Sequence, residues 1–446
     1  MTPWRERLDG GSTITYIPIF PRVNRSECYT ASNDSRLDHI SLFCHRKPGI
    51  VSIANITIAF AGWQLRRSRG GEKWGPIIDL PPPEQSHCAS HLNGVMVADE
   101  ETDVLHYLVC CTEPDRNDVW VLSSTTHGRT WGAARNITEQ IAMTHLVPGA
   151  SFIPAIGGGI QTSSGRLIAQ FYGEYCFKDA SGHCKVSGSP FKPRSSGGNP
   201  ETTNGHAEVN FILYSDDQGA HWKSSPVFGA TGAEGAAVEL FDGRTLYYNY
   251  RSDGPMVDHC PDGAAQCDTG FGANITRACG TPQTPGRPSP HHCRVAMFST
   301  SGGTSWHDAE GRSGWYGTSL PDMPDPGCKG GLTRWEAGRM LVASNVQNHG
   351  IDSIEAGSRF NLTLSLSRDG ISWPKRVVVW KGGAAYSDVR MTSDGYTAAV
   401  HFEAPWTIGA GTIVVSTLSP EWVLITLCSR ALVVHRRWLT CEVSGT

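Results

Sequence analysis

Val209-Asn210-Phe211-Ile212-Leu213-Tyr214 runs directly into Ser215-Asp216-Asp217-Gln218-Gly219-Ala220-His221-Trp222, and this stretch decides the fold. A strand-like run ends in a polar turn that an Asp or Ser side chain can cap, a Gly able to take positive φ, and a Trp large enough to pin the hairpin to its sheet. Ser124-Thr125-Thr126-His127-Gly128-Arg129-Thr130-Trp131 and Ser299-Thr300-Ser301-Gly302-Gly303-Thr304-Ser305-Trp306 keep the same frame. Ser68-Arg69-Gly70-Gly71-Glu72-Lys73-Trp74 and Ser367-Arg368-Asp369-Gly370-Ile371-Ser372-Trp373 are degenerate copies. Gly stands three residues before Trp in all five, which uses five of the 14 Trp and makes chance a poor explanation. The Trp-to-Trp intervals of 57, 91, 84 and 67 residues fit one four-stranded sheet per repeat with long insertions. Radial repetition of such sheets gives an all-β six-bladed β-propeller, one blade lacking the motif.

Composition agrees. The 446 residues include 50 Gly and 27 Pro, with 18% charged and 39% apolar residues, the balance of a turn-rich and strand-rich chain. With 38 Lys+Arg against 42 Asp+Glu the net charge is −4, which argues against a nucleic-acid partner. No run reaches the ~20 apolar residues that span a bilayer, and Trp422 to Val434 is interrupted by Ser429 and Arg430. The propeller is expected over residues 50–420, with long loops at 175–207 and 254–293, an unmatched segment at 1–49 and an unmatched tail at 421–446.

Fourteen cysteines, four of them (Cys260, Cys267, Cys279, Cys293) in the Pro/Gly-rich stretch 254–293, suggest disulfide stapling. Six N-x-S/T sequons, at Asn24, Asn33, Asn55, Asn136, Asn274 and Asn361, favour a secretory route, although the N-terminus as given carries no signal peptide. No metal and no cofactor are expected. The chain has no C-x-x-C pair, no EF-hand spacing in its Asp-rich turns, and no G-x-G-x-x-G, phosphate-binding or H-E-x-x-H motif.

The repeated S-x-D-x-G-x-T-W hairpin is the Asp box, and the chain from about residue 50 to residue 418 resembles the exo-sialidase (neuraminidase) family, nearest to the animal lysosomal-type enzymes. Phe152-Ile153-Pro154-Ala155-Ile156-Gly157-Gly158-Gly159-Ile160-Gln161, Gly165-Arg166-Leu167-Ile168 and Val238-Glu239-Leu240-Phe241-Asp242-Gly243 strengthen the likeness. The resemblance implies a retaining exo-α-sialidase that removes terminal sialic acids from glycoproteins, glycolipids and oligosaccharides, so its partners would be sialylated glycoconjugates. It also implies a lysosomal, secreted or membrane-associated place. In that family a Tyr hydroxyl is the nucleophile, because a carboxylate would be repelled by the substrate's own carboxylate, and a Glu activates it. Three arginines hold the substrate carboxylate through charge-assisted hydrogen bonds.

Carried over residue by residue, Tyr386 (Gly382-Gly383-Ala384-Ala385-Tyr386-Ser387) resembles the nucleophile and Glu234 (Gly232-Ala233-Glu234-Gly235) its activator. Arg251 (Tyr248-Asn249-Tyr250-Arg251) and Arg359 (Ser358-Arg359-Phe360) resemble the second and third arginines. Glu403 (His401-Phe402-Glu403-Ala404-Pro405) resembles the Glu paired with the first. From residue type alone, Glu239 competes with Glu234, and each Arg or Tyr also reads as a solvated rim residue or as turn packing. Two parts are missing. For the first arginine's aromatic-Arg-Ile-Pro segment the nearest match is Thr15-Tyr16-Ile17-Pro18, which has no Arg. After Ala59-Phe60-Ala61 the chain passes through Gly62-Trp63-Gln64-Leu65-Arg66-Arg67 into the first Asp box, without the stretch that holds the acid Asp. Arg22, Arg25, Asp34, Arg36 and Asp38 lie nearby, but their spacing recommends none. Altered splicing at both ends would account for these losses. The alternative is a catalytically degenerate, carbohydrate-binding propeller. A sortilin-like receptor would want a membrane anchor and more blades.

Overall fold

The computed structural model describes residues 4–7, 13–18, 20, 47–71, 73–83, 93–113, 116–141, 152–176, 206–229, 232–252, 292–313, 317–325, 327–347, 359–395, 397–407 and 410–418. They form six antiparallel sheets, each with its innermost strand beside the next, and the series closes on itself as a six-bladed propeller. The innermost strands of blades 1, 2, 4, 5 and 6 are Pro48–Ile53, Gly94–Asp99, Gly232–Glu239, Gly331–Trp335 and Ser387–Met391; in blade 3 Phe152–Pro154 starts the sheet and Leu167–Cys176 follows it. One parallel pair departs from the antiparallel rule, Gly157–Gly158 against the innermost strand of blade 2.

All five Asp boxes lie between the third and fourth strands of their blades. In four of them the Ser hydroxyl accepts the amide of the turn Gly, at 2.8 Å from Gly219 to Ser215, 2.9 Å from Gly128 to Ser124, 2.9 Å from Gly303 to Ser299 and 2.8 Å from Gly370 to Ser367. Each of those glycines, and Gly71 in the first box, sits at positive φ between 76° and 94°. The Trp rings go to the joints between blades. Trp222 packs among residues of blades 2 and 3, Trp306 among those of blades 3 and 4, and Trp373 among those of blades 4 and 5. Trp131 and Trp74 border the joints of blade 1 with blades 2 and 6.

The sixth joint explains why one blade lacks the motif. Blade 6 is built from Ser387–Met391, Ala398–Thr407 and Ala410–Leu418, and its next strands, Thr13–Pro18 and Trp4–Arg7, come from the other end of the sequence. No hairpin joins its third and fourth strands, so no box is needed there. Tyr16 and Trp380 seal that joint with ring centroids 5.4 Å apart. Residues 1–49, set apart from the propeller on sequence grounds, thus contribute two of its strands. Most of the expected loops at 175–207 and 254–293, and the whole of the tail at 421–446, lie outside the described residues.

A polar cluster closes the ring on its axis. The Asp388 carboxylate accepts the amides of Ile50 (2.9 Å) and Gly158 (2.8 Å) and pairs with the Lys329 ammonium at 3.1 Å. Arg390 donates to the carbonyls of Gly158 (2.7 Å), Gly159 (2.6 Å) and Leu332 (2.9 Å). A Cβ on Gly157 would fall against Lys329 Nζ and Asp388 Oδ2, and one on Gly158 against Arg390, which is why this lining reads Gly157-Gly158. Burial lowers the Lys329 pKa, and Asp388 opposes that shift.

Two outcomes follow for stability. Asp388→Ala removes the acceptor for two buried amides and strands a buried ammonium, so urea denaturation should show a loss of about 3–5 kcal/mol; a loss under about 1 kcal/mol, within the range of an exposed pair, would contradict the axial role. His106 meets Trp222 edge to face with ring centroids 6.1 Å apart and bonds Ser123 Oγ at 3.0 Å, and burial lowers its pKa to about 4, against opposing effects of Asp99 and of the Gln218 backbone. The folded state keeps this ring neutral while the unfolded chain protonates it near the ordinary value of 6.5. Stability from this group is therefore full above about pH 6.5 and falls as pH drops toward about 4, by up to ~3 kcal/mol. His106→Gln should flatten that slope in urea titrations at several pH values; an unchanged slope would contradict the assignment.

Candidate active site

The pairing registers fix which end of the propeller holds the site. On blade 4, Glu239 faces Leu246 and Leu246 faces Ser299, at the Asp-box end, whereas Gly232 faces Ser252 at the opposite end. Glu234, Arg251, Arg359, Tyr386 and Glu403 all belong to that opposite end, brought from blades 4, 5 and 6.

Local irregularities aim the side chains. The register slips between Ala233 and Ala236, so Glu234 sits in a β-bulge with φ 51° and leaves the ladder to turn its carboxylate toward Arg251. The neighbours are small because the turn is tight: a Cβ on Gly235 would strike the Tyr248 ring. A second slip, at Phe360 to Thr363 with Asn361 at φ 56°, follows Arg359. The Arg359 carbonyl accepts the Ala384 amide at 3.1 Å, and Ala385 N–H donates to Glu403 O at 3.1 Å. Glu403 N–H donates to Tyr386 O at 3.0 Å, so the backbone of the candidate nucleophile is tied to both neighbours.

The side chains converge. Arg251 Nη1 donates to Glu234 Oε2 at 2.5 Å, in a pair that is 16% and 4% exposed. Arg359 lies over the Tyr386 ring at 5.2 Å. Both guanidiniums meet one acceptor, the Gly327 carbonyl, at 2.8 Å from Arg359 and 3.3 Å from Arg251. Burial pushes the Tyr386 phenol pKa up, Glu234 adds to the rise, and Arg251 and Arg359 oppose it. The phenol is therefore held neutral near the Glu234 carboxylate. Cys328, a buried free thiol, sits by the same groups: burial raises its pKa to about 12, Arg359 opposes, and Glu234 and Glu403 add to the rise. Sequence reasoning had not singled it out; the cysteine lies in no motif.

Glu239, the competitor of Glu234, is engaged elsewhere. Its carboxylate accepts Ser163 N–H at 2.9 Å and Ser163 O–H at 3.1 Å, at the Asp-box end.

No Arg stands at the nearest sequence match for the first arginine's segment. Tyr16-Ile17-Pro18 lies on a strand paired with Val414–Ser416, away from the axis, and Tyr16 O–H donates to Val379 O. The chain that does reach Glu403 is the one leading into blade 1, where Lys47 N–H donates to Glu403 Oε1 at 2.7 Å. The residues there read His45-Arg46-Lys47-Pro48, an aromatic-Arg-x-Pro segment with Lys in place of Ile. Arg46 itself lies outside the described residues. Ala61 pairs with Gln64 across a two-residue turn, Gly62-Trp63. Arg22, Arg25, Asp34, Arg36 and Asp38 lie outside the described residues.

Among known proteins, a family model described as a BNR repeat-like domain matches residues 276–401. Mouse Sialidase-4 is 23% identical over 390 residues, covering 73% of this chain and 76% of the relative. The Hadza microbial sialidase Hz136 superimposes with a TM-score of 0.57 at 16% identity, over 86% of this chain and 67% of that one. The Trypanosoma rangeli sialidase in complex with 2,3-difluorosialic acid (covalent intermediate) gives 0.59 at 15% identity, over 97% of this chain. Our chain spans 64% of the length of that trypanosomal protein. The Asp-box hairpins, the six-bladed ring and these likenesses together make this chain a sialidase-like propeller.

Proposed function

We propose that the protein is a retaining exo-α-sialidase acting on sialylated glycoconjugates. The observation that carries the reading is the convergence of Tyr386, Glu234, Arg251 and Arg359, from three blades, at the end of the propeller away from the Asp boxes. Arg251 and Arg359 take the substrate carboxylate, and Arg46, next before Lys47 in the sequence, is the candidate for the third guanidinium. Glu234 accepts the Tyr386 proton as the phenol oxygen bonds to the anomeric carbon and the glycosidic C–O bond breaks. Water then releases the sugar and Tyr386 recovers its proton. A Tyr nucleophile suits an anionic substrate, because the neutral phenol approaches the carboxylate-bearing centre without repulsion. Passage through a secretory route is supported by the exposed sequon residues Asn55 and Asn136 and by the disulfide-bonded Cys111 and Cys293.

The two-residue turn at Gly62-Trp63 favours a second reading, a sialoside binder that does not turn over natural substrates. The leaving group separates the two. An aryl oxygen departs without protonation, whereas an alkyl oxygen needs the general acid, whose absence costs ~10²–10⁴ in rate.

The test is hydrolysis of an aryl α-sialoside and of a sialyl-lactose by the purified chain and its variants. Tyr386→Phe and Glu234→Gln should each lose most turnover, while Arg46→Ala should raise KM by about ten- to a hundredfold, the worth of a charge-assisted hydrogen bond of ~1.5–3 kcal/mol. Near wild-type rates in both Tyr386→Phe and Glu234→Gln would refute the catalytic assignment. Binding without turnover of either substrate would establish the second reading.

A further inference from the structure

A buried network beneath the two arginines has no part in the chemistry above. Asp325 ends a strand of blade 4, and its Oδ1 accepts the amides of Gly327 and Cys328, each at 3.0 Å. Its other oxygen pairs with Arg294 Nη1 at 3.1 Å, side chains 0% and 2% exposed. Arg294 also donates to Cys328 O at 3.1 Å and to Asn249 O at 3.2 Å, and its Nε donates to Asn249 Oδ1. Asn249 lies two residues before Arg251 on the strand Leu246–Ser252. One ion pair therefore ties the strand that carries Arg251 to the turn that receives it.

Peptide geometry turns this tie into an aim. The Gly327 carbonyl and the Cys328 N–H belong to one peptide unit, and in a trans peptide they point in opposite directions. Fixing Cys328 N–H on Asp325 sends the Gly327 oxygen the other way, where Arg359 and Arg251 both reach it. Gly327 has φ 75°, a conformation that only the capped turn and the missing Cβ make easy. Two guanidiniums side by side repel each other, and a carbonyl oxygen between them offsets that repulsion and sets their spacing.

We propose that Asp325 and Arg294 are positioning residues that hold Arg251 and Arg359 side by side, through the Gly327 carbonyl, for a carboxylate-bearing ligand. The inference rests on the reading of those arginines as carboxylate binders. It predicts a defect in ligand binding that depends on the carboxylate and largely spares kcat. Asp325→Ala should raise KM for an aryl α-sialoside by about ten- to a hundredfold, the usual range for misplaced binding groups, with kcat within about threefold. The C1-carboxamide analogue, tested as an inhibitor, should bind wild type and variant alike. Asp325→Asn, which keeps an oxygen for the two amides, should recover part of the affinity. If Asp325→Ala does not fold, the neutral pair Asp325→Asn with Arg294→Gln gives the same comparison. A folded variant with wild-type preference for the carboxylate over the carboxamide would overturn the proposal. Phenylglyoxal labelling of Arg251 and Arg359, read by peptide mass spectrometry, follows the positioning without any ligand: rates should rise about tenfold in the variant, on the scale of a lost charge-assisted hydrogen bond, and equal rates would overturn it. Failure of wild type to bind any sialoside would defeat the functional reading instead, and the labelling rates would then decide this inference alone.

Discussion

The Asp388 carboxylate is the interaction on which the rest of the molecule depends. A propeller must join its last blade to its first, and here the closing sheet takes its outer strands from residues 4–18 while its inner strand meets blades 1, 2 and 5 on the axis. Asp388 accepts amides from Ile50 and Gly158 and the ammonium of Lys329, so one buried side chain binds three separate pieces of chain at the centre. A buried ion pair gives little net stability compared with a well-packed apolar pair, yet breaking it is costly, and that asymmetry makes it a device for specifying one closure.

The site inherits its geometry from that closure. Tyr386 stands two residues before Asp388, and between them Ser387 donates its amide to Lys329 O at 3.2 Å and its hydroxyl to Ser344 O at 3.2 Å. Lys329, Cys328 and Gly327 are consecutive, so the segment that pairs with Asp388 also presents the carbonyl that both arginines share. The proposed nucleophile and carboxylate-binding groups are thus referenced to one axial point. The proposed chemistry needs rigid placement of this kind, because a phenol with a raised pKa requires a base already in reach.

The fold was legible because the Asp-box hairpin is local: capping Ser, positive-φ Gly and joint-filling Trp lie within eight residues, and each feature does in the structure what its chemistry suggests. The boxless sixth blade was legible as a gap in the repeat, but its cause was not, since the pairing of Thr13–Pro18 with Ala410–Leu418 is nonlocal. Resemblance singled out five residues that the fold brings to one end of the propeller, and the slips at Glu234 and Arg359 that aim two of them were not legible, because a bulge leaves no mark in residue type. The first arginine's segment was not legible at Tyr16-Ile17-Pro18, which carries no Arg. Asp325, Arg294, Lys329 and Asp388 belong to no motif and join residues far apart in sequence, so only the folded chain reveals them.

The central claim is that Tyr386 is the nucleophile. It is tested most directly by incubating the purified chain with 2,3-difluorosialic acid, whose fluorines slow breakdown of a glycosyl-enzyme, and mapping the adduct by peptide mass spectrometry. The account predicts one sialyl adduct, on the Tyr386 oxygen, that forms in wild type and is lost in Tyr386→Phe. An adduct on another side chain, or the same adduct in Tyr386→Phe, would contradict it.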